Sequence, residues 1–214
     1  NQSILLPDGV KVSVGASVGI ALCPRDGIED VGLITRADTA LYHAKSQGRN
    51  RYAMFEAGMD DHVRHRQLLE LDIAIALENE QFEVHYQPRL DTKTGEIASY
   101  EALLRWEHPS RGKVSPADFI PVAEGCGQII KIGKWVLRRA CVDAASGASQ
   151  GRVSVNASPL QFRDRNFIET VRDALEFSGL APERLEIEIT ESVLIDDDQR
   201  ALKVFSRLKE LGVK

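Results

Sequence analysis

YEALLRWEHP, residues 100–109, can be read two ways. Glu, Ala, Leu and Arg all favour helices, and Glu101 and Arg105 stand at i, i+4, the spacing of an exposed helical ion pair. In a strand, the same residues would turn Glu101, Leu103 and Arg105 to one face and Tyr100, Ala102 and Leu104 to the other. The window alone leaves both readings open.

Its surroundings favour the strand. FEVHYQP (82–88) leads through the turn DTKTGE into the quoted stretch, and helical patterns follow near 117–124 and 127–146. RVSVNAS (152–158) then precedes a helix near 166–178, and RLEIEITES (184–192) precedes one near 198–211. Strand and helix in alternation predict parallel strands with helical crossovers, an α/β sheet or barrel. Parallel strands covered by helices are normally apolar on both faces, and these are not. Leu185, Ile187 and Ile189 alternate with Glu186, Glu188 and Thr190; Val153, Val155 and Ala157 with Ser154, Asn156 and Ser158; Phe82, Val84 and Tyr86 with Glu83, His85 and Gln87. An antiparallel sheet with one wet face gives the same alternation without any function. In a closed barrel the polar face turns inward, and its side chains near the strand C-termini converge on the mouth where barrel enzymes keep their sites. Buried carboxylates there need cations or hydrogen bonds. Glu101, Asn156 and Glu188 would form an all-oxygen cluster, suited to Mg²⁺ or Mn²⁺ rather than zinc.

The 214 residues are 43% apolar and 28% charged, an ordinary globular composition with room for one large domain or two smaller ones. A net charge of −5 argues against a dedicated DNA or RNA binder, which would carry a basic face, and leaves a small anionic ligand open. Cys23, Cys126 and Cys141 form no CxxC pair, which fits thiols in a reducing compartment. No membrane span or signal peptide is evident, so the chain reads as cytoplasmic, with a membrane tether elsewhere in a parent protein left open.

Toward the N-terminus, two apolar strands flank PDG, the second being VSVGASVGIAL, and a helix is predicted from about Asp30 to Ser46 with Gly48 at its stop. YAMF (52–55) closes this segment as a short strand. A charged run then starts loosely and becomes an amphipathic helix carrying Leu68, Leu69, Leu71, Ile75 and Leu77, with the boundary between segments in 57–66. His62 and His65 within it read as solvated helix residues rather than metal ligands. Both ends of the chain read as cut: Asn1 leads straight into a strand, and KELGVK stops where a next strand would begin.

YQP, YEALLRWEHP, SPADFIPVAE, VNAS and EIEITES, in this order and spacing, resemble the EAL domain of bacterial cyclic di-GMP phosphodiesterases over residues 67–214. SVGIAL followed by ADTALYHAKSQGRNR resembles the C-terminal part of a GGDEF domain, the diguanylate cyclase fold, over residues 1–56, with 57–66 as the linker. The resemblance implies an incomplete TIM-like barrel preceded by the end of a GGDEF α/β domain. It implies hydrolysis of cyclic di-GMP to linear pGpG with Mg²⁺ or Mn²⁺, and an EAL–EAL homodimer in the full-length protein. A non-catalytic EAL module that binds cyclic di-GMP or only dimerises is the alternative.

Residue by residue, the resemblance makes Glu101, Asn156 and Glu188 metal ligands, Arg105 a contact to a substrate phosphate, Gln87 a substrate contact and Glu191 a support for a loop. Lys45 and Arg49 match nucleotide-phosphate residues of GGDEF domains, here without the rest of that site. Residues 67–214 fall roughly a hundred short of the about 250 typical of such a barrel. The family's paired aspartates and catalytic lysine are expected beyond Lys214, and the truncated chain is expected to be inactive alone. Arg89, Glu107 and GCGQ (125–128) depart from the family pattern at positions expected to vary.

Overall fold

The computed structural model describes residues 3–5, 11–48, 50–147, 151–189 and 198–214. They fall into two compact units, residues 1–69 and 70–214.

In the first unit, β1 (Ser3–Leu5) pairs antiparallel with β2 (Lys11–Ser13), and β3 (Val18–Ile20) pairs parallel with β4 (Tyr52–Met54). The second apolar strand of the sequence reading is thus two strands, β2 and β3. Between β3 and β4 runs the helix α1 (Asp30–Ser46), with Asp30 in its first turn and Lys45 in its last, each complementing the helix dipole. Gly19 lets α1 approach β3 closely, since a Cβ there would lie 2.0 Å from the Ala37 carbonyl oxygen. Ala40, Phe55 and Met59 form the core, flanked by Ala21 and Ala53. The helix α2 (Met59–Ala76) is already in place at Met59, where the sequence suggested a loose start.

The second unit is built on one five-stranded sheet. β5 (Phe82–Leu90) pairs antiparallel with β6 (Ile97–His108), so YEALLRWEHP is a strand as far as His108. β6, β8 (Arg152–Ala157) and β9 (Leu185–Ile189) are mutually parallel in that order. β7 (Gly112–Val114), too short to show a sequence period, pairs back on the end of β6. Lys214 exchanges backbone hydrogen bonds with Leu185 and Ile187, so the chain runs beside β9 at this point. The sheet is open among the described residues, an incomplete barrel of mixed α/β class.

Helices cover one face. α3 (Pro116–Gly125) starts with Pro116 in its first turn and Ser115 accepting from the Ala117 N–H at 3.3 Å. α4 (Ile129–Ser146) buries Ile129, Ile132, Gly133, Val136, Leu137, Ala140 and Cys141, the recurrence of a single helical stripe, and packs on β8. α5 (Pro159–Phe162) is one short turn, and α6 (Phe167–Ser178) packs on α4 and ends at Gly179 in the left-handed conformation that glycine tolerates. α7 (Asp198–Glu210) follows. Trp106 at 1% exposure and Phe119 at 0% meet edge-on, centroids 5.4 Å apart, with Phe82 beside both. Burying each of these rings is worth about 2–3 kcal/mol. The indole N–H of Trp106 donates to Gln81 Oε1 at 3.0 Å, so its burial leaves no polar cost.

His108 fixes the bend after β6. Its Nδ1 accepts from the backbone N–H groups of Ser110 and Arg111, both at 3.2 Å, which leaves the proton on Nε2, 3.3 Å from Asp72. Neither Trp106 nor His108 points to the polar face.

Candidate functional site

The strand pairings gather the polar side chains. Along β5 and β6, Gln87 lies opposite Glu101, His85 opposite Leu103 and Glu83 opposite Arg105. Glu101 lies opposite Ser154 on β8, and Asn156 opposite Glu188 on β9. Because paired residues share a face, Gln87, Glu101, Arg105, Asn156 and Glu188 all project from the side of the sheet that the helices leave uncovered. Asn156 and Glu188 each stand one residue before the end of their strand, at the C-terminal edge of the parallel sheet.

Asn156 Nδ2 donates to Glu101 Oε1 at 2.9 Å, a contact between residues 55 apart in sequence. Glu101 and Glu188 are half-buried and Asn156 and Gln87 exposed. The amide nitrogen is thus engaged by Glu101, and the carbonyl oxygen is the atom Asn156 has to offer an ion. Two carboxylates and a carboxamide oxygen on adjacent strands form a donor set that fits a hard divalent cation. Among the described residues no three His, Cys, Asp or Glu side chains cluster closely enough to hold a metal.

Arg105 is half-buried and donates Nη1 to the Leu104 carbonyl at 2.9 Å. Its guanidinium has further N–H donors that suit a phosphate. Arg105, Asn156 and Glu188 line one cavity of about 320 Å³ together with Glu124, Ser158 and Gln161. Glu101 and Arg105, whose spacing suggested a helical pair, instead have different partners on one strand face.

Arg89 stands at a position expected from the sequence to vary. In the structure it forms an ion pair with Glu188 and donates to Ser154 Oγ at 3.3 Å. The residues are 99 positions apart, so no local pattern reports the contact; only the β5–β6–β8–β9 strand order brings Arg89 to this face. Glu124 and Ser158, 34 positions apart, likewise meet only in the fold.

On the covered face, Tyr86 donates its hydroxyl to Asp143 at 2.7 Å, and burial followed by this bond raises its pKa well above the ordinary phenol value. Burial alone pushes the Cys141 thiol up to about 12, which makes it an inert core group. Lys45 is exposed on the last turn of α1. Arg49 and Glu191 lie outside the described residues. Among the described residues no helix is long and apolar enough to cross a membrane.

An α/β sheet that brings oxygen donors to the C-terminal edge of its parallel strands defines a barrel-type domain with a candidate cation site at its mouth. The family model for the EAL domain matches residues 70–214, and that for the diguanylate cyclase GGDEF domain matches residues 3–51. The chain belongs to the EAL domain family, with part of a GGDEF domain before it. It is 46% identical over 207 residues to an uncharacterized signaling protein of Caulobacter vibrioides, covering 97% of this chain and 26% of that protein. It is 41% identical over 207 residues to the bifunctional diguanylate cyclase/cyclic di-GMP phosphodiesterase MucR of Pseudomonas aeruginosa, covering 95% of this chain and 30% of MucR. The solved PaMucR phosphodiesterase in its c-di-GMP complex superposes with a TM-score of 0.65 at 39% identity, over 68% of this chain and 61% of that one. The chain spans between about a quarter and a third of the length of the curated relatives it matches.

Proposed function

We propose that this chain is part of a GGDEF–EAL protein that hydrolyses cyclic di-GMP to linear pGpG, with Mg²⁺ or Mn²⁺ held by Glu101, Asn156 and Glu188. The observation that carries the proposal is the register that sets Asn156 against Glu101 at 2.9 Å and opposite Glu188 on one open face. The family membership and the names of the relatives, a cyclic di-GMP phosphodiesterase among them, support it.

A divalent ion held by Glu101, Asn156 and Glu188 would supply Lewis acidity and lower the pKa of water there. The chain's own residues hold and orient. Glu101 and Glu188 present carboxylate oxygens, and the hydrogen bond that the Asn156 amide donates to Glu101 fixes the rotamers of both. Arg105 faces the same cavity and would grip a phosphate oxygen of the dinucleotide as a charge-assisted donor. Gln87, across from Glu101, would meet the substrate from β5. Water adds across one phosphodiester linkage, and the products are a 5′-phosphate and a free 3′-hydroxyl.

The same proposal takes residues 1–56 as the end of the GGDEF domain, 57–66 as the linker and 67–214 as the EAL part. It gives Lys45 and Arg49 vestigial phosphate contacts, Glu191 the support of a loop, and the EAL domain a cytoplasmic setting and a homodimer. The Arg89–Glu188 pair favours a second reading, a module that binds cyclic di-GMP without cleaving it, because Glu188 already has a cationic partner. Calorimetry with cyclic di-GMP and chromatography of the products, on the full-length protein with Mn²⁺, separate the two. Conversion to pGpG is the result expected here; tight binding of an unchanged ligand would establish the second reading instead.

A further inference from the structure

We infer that Glu124 is a positioning residue which, through Ser158, fixes the strand end carrying Asn156 and so sets the affinity of the site for its divalent ion. The inference rests on the proposed role of Asn156 as a ligand.

Ser158 directly follows the last residue of β8, two positions after Asn156. Its hydroxyl donates to Glu124 Oε1 at 2.6 Å, a short charge-assisted bond that ties the end of β8 to the last turn of α3. The same hydroxyl oxygen accepts from the Leu160 N–H at 3.3 Å, and the Ser158 N–H donates to Gln161 Oε1 at 3.1 Å, closing a capping box around α5. Gln161 is 8% exposed and lies against Gly133 of α4, where a Cβ would stand only 1.8 Å from its amide nitrogen. The turn is therefore held by α3, by α4 and by its own cap. None of these residues belongs to the proposed ligand set, yet Glu124, Ser158 and Gln161 line the same cavity as Asn156 and Glu188.

A carboxamide is a neutral ligand with one useful atom. It binds well only when its oxygen is aimed, and the backbone carrying it must be fixed for that. Glu124 does this at a distance: its carboxylate accepts from Ser158, Ser158 caps α5, and the cap stops the end of β8 from rotating. Gly133 serves the same end from the other side by leaving space for the Gln161 amide.

The test is a Mn²⁺ titration of the full-length protein followed by the loss of the free-ion electron paramagnetic resonance signal, with Asn156→Ala defining the component due to this site. Glu124→Ala should weaken that component about tenfold or more, the usual effect of groups that orient metal ligands. Glu124→Gln, which can still accept from Ser158, should restore binding to within about threefold of the parent, since a neutral acceptor gives a weaker bond than a charged one. Gly133→Ala should also weaken it, although alanine is the better helix former, because the new methyl displaces Gln161. Should Glu124→Ala not fold, Gly133→Ala tests the same link. A folded Glu124→Ala or Gly133→Ala protein with parental Mn²⁺ affinity overturns the inference. So does a Glu124→Gln loss as large as that of alanine, which would make the carboxylate itself a ligand. If Asn156→Ala changes nothing, the ligand assignment falls first and this inference with it.

Discussion

On the helix-covered face of the sheet, Ala102, Trp106, Val153, Val155 and Leu185 are at most 3% exposed. On the other face, one residue along the same strands, Glu101, Arg105 and Glu188 are half-buried and Gln87, Arg89 and Asn156 are exposed. The first face gains its free energy from apolar burial; the second bears charges held by one another and by an amide. Stability and candidate chemistry are thus interleaved at a period of two residues, and substitutions on the two faces should fail in different ways.

The largest expected effect is on the covered face. Trp106→Ala should cost about 3–5 kcal/mol of stability, because it leaves a cavity beside the Phe82 and Phe119 rings. Chemical denaturation measures that loss, and whatever protein remains folded should bind Mn²⁺ with parental affinity. Glu188→Gln tests the open face. It should reduce Mn²⁺ affinity about a hundredfold, at or beyond the upper end for groups that only orient ligands. Its denaturation midpoint should stay close to the parent's, since the Arg89 pair it disturbs is partly exposed and contributes about 1 kcal/mol or less.

Alkaline pH sharpens the contrast. The Cys141 thiol is held protonated in the folded state up to about 12, against an ordinary value of 9.0. The unfolded chain therefore binds fewer protons between those values, and stability should fall as pH rises from about 9 toward 12. Tyr86 acts in the same direction. Cys141→Ala should flatten this loss in denaturation curves recorded across the range; an unchanged slope would assign it elsewhere. The smallest effect is Arg89→Ala. Freed from its ion pair, Glu188 should bind Mn²⁺ up to about fivefold more tightly, the limit for a partly exposed pair. Weaker binding would instead make Arg89 a support of the site.

How much was legible follows from the range of each interaction. Alternation along FEVHYQP, RVSVNAS and RLEIEITES is a property of neighbouring residues, so the strands and the polar face that carries Glu101, Asn156 and Glu188 could be read directly, and α1, α4 and α6 lie close to the predicted helices. YEALLRWEHP was ambiguous because its composition suits a helix, and tertiary pairing with β5 and β8 overrode that preference. β7 and α5 were missed because three or four residues carry no period. The break between β2 and β3 falls at residues 14–17, where small residues mixed with valines carry no clear stop signal. Arg89 with Glu188, and Glu124 with Ser158, are contacts across 99 and 34 positions, which only the folded strand order creates.

The most direct measurement is cyclic di-GMP turnover by the full-length protein with Mn²⁺, beside its Glu101→Ala variant at equal folded concentration. The parent should yield pGpG, chelation of the metal should suppress it, and Glu101→Ala should lose at least about a hundredfold, a larger penalty than groups around the ligands usually carry. Turnover that survives Glu101→Ala or complete removal of divalent ions would contradict metal-dependent hydrolysis at this site.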